Sequence, residues 1–305
     1  MGDTAILLMG YGSPTKLEEL EEYLSGIVPS GKPSTDMISD FRERYMRIGG
    51  ISPMNSILSA QTLAFSKELR TRGYDLEVYL GTKHWKPSVT EALRKIEAGG
   101  YRRIVAFALS PYDSYWIMSS YERAIKAAMA EVGKNFELSW VRGWNTTPKF
   151  IEFWSRSVTE AMNGKSQPLL FSAHSLPSKM LQYRDSYPEE VRKTSRMIAE
   201  RVNPPYWEFA YQSAGDESDM WLKPDVKERM QDYKAKGFTC IVLASIGFIF
   251  EHLEVLYDLD VIAKERANSL GIELRRARQP NDDPLFIGAM ADALEEGIDW
   301  QHYKN

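Results

Sequence analysis

Cysteine is almost absent from this chain: Cys240 is the only one in 305 residues. One thiol makes no internal disulfide and cannot hold an iron–sulfur cluster, which takes about four thiolates. Lying inside an apolar run, it reads as core. An excess of either charge is also missing. The 38 Lys+Arg against 42 Asp+Glu leave a net charge of -4, so bulk electrostatics gives no reason to expect nucleic acid or an anionic membrane surface. The longest apolar run, CIVLASIGFIF at 240–250, falls short of the about 20 residues needed to cross a bilayer. MGDTAILLMGYG at the start lacks the basic flank and cleavage site of a signal peptide. A cytoplasmic protein without a transmembrane segment is the expectation.

Several catalytic signatures are missing too. There is no Walker A loop, G-x-G-x-x-G, HExxH, CxxC or G-x-S-x-G elbow. Nucleotide binding, zinc hydrolysis and serine hydrolysis each lose their usual sequence support. What the chain does hold is a generous aromatic and thioether supply: 8 Trp, 16 Tyr, 12 Phe and 13 Met. Most of it serves a core, but a large flat apolar ligand would want the same walls.

Short apolar or β-branched runs alternate with stretches of helical period, the pattern of βαβ units and parallel sheets. Strands are expected over 5–9, 76–80, 104–109, 138–141, 169–172, 208–211, 241–246 and 272–275, four in each half. Two echoes relate the halves. ILLMGYGSP (6–14) resembles PLLFSAHSLP (168–177), and GYRRIVAFALSPY (100–112) resembles GFTCIVLASIGFI (237–249). Both suggest a diverged duplication into two doubly wound α/β domains, each with a four-stranded parallel sheet, meeting at a cleft. The polar GWNTTP at 143–148 sets the expected boundary, giving domains 1–145 and 146–305, and SGIVPSGKPST (25–35) reads as a loop or lid.

In open α/β sheets ligands bind beyond the carboxyl ends of the strands. The turns there are GYGSP, SPYDSYW, SAHSLP, YQSAGDESDMW and GFIFEHLE. His174 follows an apolar strand between two hydroxyls, although a histidine is more often a structural hydrogen-bonder than a ligand. In GFIFEHLEVLYDLD (247–260) a helix starting near Glu251 would put Glu254 and Asp258 on one face. His252 and Glu254 would then lie about 200° apart, too far round to grip one ion. The plainer reading is a solvated carboxylate face at a helix N-terminus. The sharper one pairs His174 with Glu254, one nitrogen and one carboxylate oxygen, which suits ferrous iron or zinc held loosely for transfer. His84 beside Trp85 reads as structural support, and His302 as incidental.

Taken together the motifs resemble the ferrochelatases, which insert ferrous iron into a porphyrin. LLMGYGSP, RYMRIGGISPMN, TKHWKP, LLFSAHSLPSKMLQYRDSYPEEV, YQSAGDESDMWLKPDV and GFIFEHLEVLYDLD stand in that family's order, nearly end to end. The resemblance implies two similar Rossmann-like domains. His174 and Glu254 match the residues implicated in binding metal or accepting pyrrole protons, with Asp258 a candidate relay behind them. Tyr11 matches a tyrosine over the porphyrin face, and Arg44, Tyr45, Ser52 and Tyr121 fall where soluble bacterial members contact the macrocycle or its carboxylates. His84 and His252 become supporting residues.

There are departures from the family pattern. Val28 and Pro29 stand where adjacent loop arginines are expected, Ile262 ends the acidic stripe, and Asp219 and Met220 replace a proline-containing stretch. The implied activity is iron insertion into protoporphyrin IX or coproporphyrin III by a monomer with no resident cofactor, iron being a substrate. The alternatives are a chelatase for another metal or tetrapyrrole, and a non-catalytic haem carrier using Tyr11.

Overall fold

The computed structural model describes residues 2–28, 30–215 and 220–298. Pro29, Asp219 and His302, named above, lie outside them. All eight expected strands are present: β1 (Thr4–Gly10), β2 (Glu77–Thr82), β3 (Arg103–Ala108), β4 (Glu137–Val141), β5 (Leu169–His174), β6 (Trp207–Gln212), β7 (Cys240–Ala244) and β8 (Glu273–Arg276). They form two all-parallel sheets, ordered β2-β1-β3-β4 and β6-β5-β7-β8. The first strand of each set therefore runs between the second and third in both. Such inner strands are covered on both faces, which is why β1 is buried at all seven positions and reads as one apolar run.

Among the described residues ten α-helices flank the sheets: α1 (Leu20–Ser25), α2 (Thr35–Arg47), α3 (Met54–Thr71), α4 (Val89–Ala98), α5 (Tyr115–Val132), α6 (Pro148–Met162), α7 (Tyr187–Val202), α8 (Val226–Ala235), α9 (Lys264–Ser269) and α10 (Pro284–Gly297). The duplication extends to their caps. Ser88 with Glu91 opens α4 and Asp225 with Glu228 opens α8, each as a capping box that satisfies orphan N–H groups reciprocally. Before each helix a proline carbonyl accepts from the preceding strand region, Thr82 N–H to Pro87 O and Tyr211 N–H to Pro224 O, both at 2.7 Å.

The chain divides into two compact units, one of residues 1–147 with 281–305 and one of 148–280. The expected second domain, 146–305, is thus corrected at its C-terminal end, because α10 belongs with the N-terminal unit. Its Phe286 packs on Trp144 at 5.7 Å between ring centroids, and Trp144 on Phe107 of β3 at 5.5 Å. Arg72, just past α3, ties the helix down through Asp292 and Glu295, each at 2.8 Å. In that unit Ala5, Leu7, Met9, Ile104 and Ala106 pack against α4 and α5. In the other, Leu170, Ile241 and Leu243 pack against α8 and the helical segment after residue 253. Cys240 is buried there, as expected of a core thiol.

Candidate active site

Strand β5 carries LLFSAH to its carboxyl end, so His174 is the last strand residue rather than the first of the turn. Tyr187 O–H donates to the His174 carbonyl at 3.0 Å and fixes that end. The loop after β7 reaches it through Gly247, whose N–H donates to Ser172 O at 3.2 Å. A Cβ at Gly247 would lie 2.5 Å from Ala173 Cβ and 2.6 Å from its Cα. Only glycine lets the chain approach this closely. Beyond it, Phe248 stands edge-on to the imidazole at 6.0 Å, and Trp221 lies 6.4 Å away.

His174 Nδ1 faces the Ser175 carbonyl and donates to it. That fixes the other nitrogen, Nε2, toward Glu254 Oε2 at 3.4 Å. The pairing expected from strand ends is thus present in the geometry.

The helix carrying the acids starts later than expected and is wound differently. It begins at Leu253, and Val255–Ala263 forms a π-helix before continuing into α9. Long π-segments are rare and concentrate at functional sites. Residues four apart still project to similar sides, so Val255, Leu259 and Ala263 are buried in the core while Glu254 and Asp258 form an adjacent stripe. Asp258 accepts from the Ser213 hydroxyl. Ser213 follows β6, whose Gln212 is paired with His174 in the sheet, and has φ 59°. A serine in this left-handed region costs about 1–2 kcal/mol, and its hydroxyl is spent on the acid stripe.

The other two carboxylates of the segment have a different fate. Arg276, at the end of β8, forks onto Asp260 at 2.7 Å through both Nε and one terminal nitrogen, and onto Glu251 at 3.0 and 3.1 Å. Burial pushes the Glu251 carboxyl up, opposed by that guanidinium. GFIFEHLEVLYDLD therefore splits its acids: two saturate a structural arginine and two face His174 and Ser213.

The two histidines of this unit diverge. Burial lowers the affinity of His174 for a proton, but Glu254, by charge and hydrogen bond, then the Ser175 carbonyl and Asp258 outweigh it, and its pKa rises to about 9. His252 is only 4% exposed. Burial pushes it down to about 4, with Glu254 opposing and His174 and Arg276 assisting. Its Nδ1 accepts from Glu254 N–H at 3.1 Å, which fits a neutral ring that positions the acid's backbone. His252 precedes the helix instead of lying on it, so the expected 200° separation does not arise.

In the N-terminal unit the remaining candidates form two groups. Tyr11, 36% exposed, lies 4.5 Å from the His84 ring, and His84 Nδ1 pairs with Gly26 O at 3.1 Å. Burial and Lys83 hold His84 below its usual range. Gly12, φ 91°, turns the chain just after Tyr11, with no room for a Cβ against Thr82 and Trp85. Lys83 stands over the rings of Tyr11 and Tyr121 at 5.3 and 4.9 Å. The second group looks inward or along its own helix. Arg44 pairs with Asp40 at 2.7 Å and stacks on Phe41, buried Tyr45 meets Ser13 at 2.9 Å, and Ser52 Oγ accepts from Met54 N–H at 3.2 Å.

Sequence reasoning missed Ser213 and Lys83. Ser213 was within reach, being the residue after a strand end in a turn already marked as chemically rich. Lys83 carried no signal of its own, since a lysine in a polar loop reads as solvated. Among the described residues no group of three or more His, Cys, Asp or Glu is arranged to hold a metal ion, and no helix is long and apolar enough to cross a membrane.

Comparison with known proteins gives three consistent results. The family model described as Ferrochelatase matches residues 3–298. The chain is 34% identical to a ferrochelatase of Herpetosiphon aurantiacus, over 93% of this chain and 95% of that protein. It is 37% identical to a coproporphyrin III ferrochelatase of Anoxybacillus flavithermus, over 95% and 94%. Among solved structures, SirB from Bacillus subtilis with Fe3+ superimposes with a TM-score of 0.58 at 11% identity, covering 99% of each chain. At that identity it speaks for the chelatase-type fold alone.

Proposed function

The chain belongs to the ferrochelatase family, and from that premise we propose that it is a lyase inserting ferrous iron into coproporphyrin III, as a step of haem biosynthesis. The observation that carries the site is the approach of His174 Nε2 to Glu254 Oε2 at the carboxyl end of β5. Insertion must strip water from the ion and remove two pyrrole protons while four metal–nitrogen bonds form, two of them in place of the N–H bonds and two to the nitrogens that carried no proton. Glu254 holds the His174 imidazole largely protonated at neutral pH, so the ring can offer a lone pair to metal or take a pyrrole proton only after its own proton has passed to the adjoining carboxylate. In this reading Glu254 passes protons toward Asp258, whose hydrogen bond from Ser213 fixes its orientation.

His252 serves the pair from behind by holding the Glu254 backbone. Partly exposed Tyr11 offers a ring face to the macrocycle, while Tyr121, buried in the core beside Lys83, backs it from behind, and a bent ring would draw the cost of its distortion from such apolar contacts. The choice of coproporphyrin III over protoporphyrin IX is supported by relatives bearing that name at 35–37% identity. A cytoplasmic monomer without a resident cofactor completes the proposal.

The test is metalloporphyrin formation from ferrous iron, or zinc as surrogate, with coproporphyrin III and protoporphyrin IX compared by kcat/KM. Faster turnover of coproporphyrin III is expected. Tight haem binding with insertion at the uncatalysed rate would make the protein a carrier instead.

A further inference from the structure

Arg276 has every donor engaged. A guanidinium carries five N–H groups. Nε and Nη2 fork onto Asp260 at 2.7 Å, Nη1 and Nη2 reach Glu251 at 3.0 and 3.1 Å, and Nη1 also meets the Ala277 carbonyl at 3.4 Å. The side chain is only 14% exposed. No donor remains for a substrate, so this cation can act only through what it holds.

What it holds are the two ends of the acid segment. Glu251 stands before His252 and Glu254, and Asp260 stands after Asp258, so the site groups of this segment all lie between the gripped residues. Glu251 is tied a second time, its carboxylate accepting the Gln279 backbone N–H. Arg276 is itself fixed by the sheet: it pairs with Leu243 of β7, and the next residue, Ala277, donates its N–H to Leu243 O at 2.8 Å. Both ends of the segment are thereby referred to the sheet whose β5 carries His174.

The winding between those ends needs such a reference. π-Turns are rare and usually single, so a run from Val255 to Ala263 depends on its surroundings. Val255, Leu259 and Ala263 hold its inner side in the core. On the polar side the fork on Asp260 supplies two charge-assisted bonds in parallel. Rewinding to the tighter α form would turn Asp258 relative to Glu254, and a misplacement of about 1 Å at a reacting group can cost about a hundredfold in rate.

We propose that Arg276 is a positioning residue for metal insertion: by gripping Glu251 and Asp260 together it holds the π-wound segment where Glu254 meets His174 and Asp258 stands behind. The inference rests on the ferrochelatase reading and adds to it the residue that aims the acids.

The experiment compares wild type, Asp260→Ala, Asp260→Glu and Arg276→Lys as full chains. It measures zinc insertion into coproporphyrin III and, at one fixed pH, the imidazole nitrogen NMR signal of His174, assigned by its loss in His174→Ala. Asp260→Ala opens one end of the clamp at a side chain 39% exposed, where folding is not threatened, and leaves Arg276 its pair with Glu251. It should lower kcat about thirtyfold, keep KM for coproporphyrin III within about twofold, and move the His174 signal as Glu254 withdraws. Asp260→Glu keeps a carboxylate for the fork and should recover most of kcat and of the signal. Arg276→Lys, a point charge that cannot fork onto two carboxylates, should fall between. Lower stability with kcat per folded molecule and the His174 signal both unchanged would make the clamp merely structural and overturn the proposal. A fall in kcat that Asp260→Glu does not recover would overturn it too. If wild type inserts no metal while the His174 signal follows the clamp, the ferrochelatase reading falls and the positioning stands. If wild type inserts metal and the signal ignores the clamp, the positioning alone falls.

Discussion

His174 and His252 share a neighbour, Glu254, yet the fold drives them in opposite directions. Both are pulled down by burial and up by the same carboxylate. The difference is which part of Glu254 each one meets. His174 meets the carboxylate oxygen, with the Ser175 carbonyl fixing its other nitrogen, so charge wins over desolvation. His252 meets the backbone N–H, which needs a lone pair and therefore a neutral ring. One residue thus creates a proton-hungry imidazole and a proton-refusing one within a single site. Proximity to an acid does not by itself decide a histidine's role, and the geometry of the contact does.

The largest test of this contrast removes His174. His174→Ala should cut kcat by about 10²–10⁴, the range of a lost acid–base group, while coproporphyrin binding holds within about threefold. Stopped-flow metal insertion and fluorescence titration measure the two separately. Near-normal turnover would take His174 out of the mechanism and leave the site without a reacting imidazole.

His252→Ala should act on stability first. It leaves a part-buried N–H without this acceptor and opens a small void where the buried ring stood, about 2–3 kcal/mol together, read from urea midpoints. Turnover per folded molecule should fall about tenfold or less. His252→Asn, which can still accept from Glu254 N–H, should recover part of both. A loss of activity as deep as that of His174→Ala, in a folded protein, would make the two histidines equal partners.

The third test uses pH on the unmodified protein. Unfolded histidines titrate near 6.5. His174, raised to about 9, binds more protons folded than unfolded above that point, so its contribution is fully present below pH 6.5 and is lost as pH rises toward 9. His252, lowered to about 4, binds fewer protons folded, so stability falls as pH drops from 6.5 toward 4. Opposite slopes should meet near pH 6.5, each worth about 1–2 kcal/mol once solvent screening of the half-exposed Glu254 is allowed for. In His174→Ala the alkaline slope should flatten and the acid one persist. If both slopes survive in that variant, the alkaline arm belongs to another group.

Much of this was legible in the sequence, and the physics says where legibility ends. Inner parallel strands are buried on both faces, so 5–9, 104–109, 169–172 and 241–246 stood out as continuous apolar runs. The rule that ligands gather at strand carboxyl ends was enough to bring His174 and Glu254 together. Roles for Tyr11, Arg44 and Tyr121 came only from family resemblance. Hidden were facts that depend on register or packing at a distance. Arg276 takes Glu251 and Asp260 because β8 pairs with β7 in one register, and nothing local in ELRR reveals it. The π-winding is a choice among backbone hydrogen bonds that side-chain period does not resolve. Residues 281–297 read as one more helix of the second half because proximity along the chain is a poor guide once a helix can return to cover an earlier sheet.

The smallest test concerns Ser213, the residue that aims Asp258 at the His174 side of the stripe. Ser213→Ala removes the hydroxyl while keeping a side chain small enough for the left-handed backbone. Unfolding should change by less than about 1 kcal/mol, since the lost bond reaches a half-buried acid that water can solvate. Asp258 then turns to solvent and its pull on His174 weakens, so the alkaline stability slope should become shallower while the acid slope, set by His252, stays in place. Turnover should drop about threefold, with the deficit largest at low pH, where proton departure along the stripe has the least driving force. A deficit independent of pH would mean that Ser213 shapes the loop without touching the proton path, and Asp258 would lose its place behind Glu254.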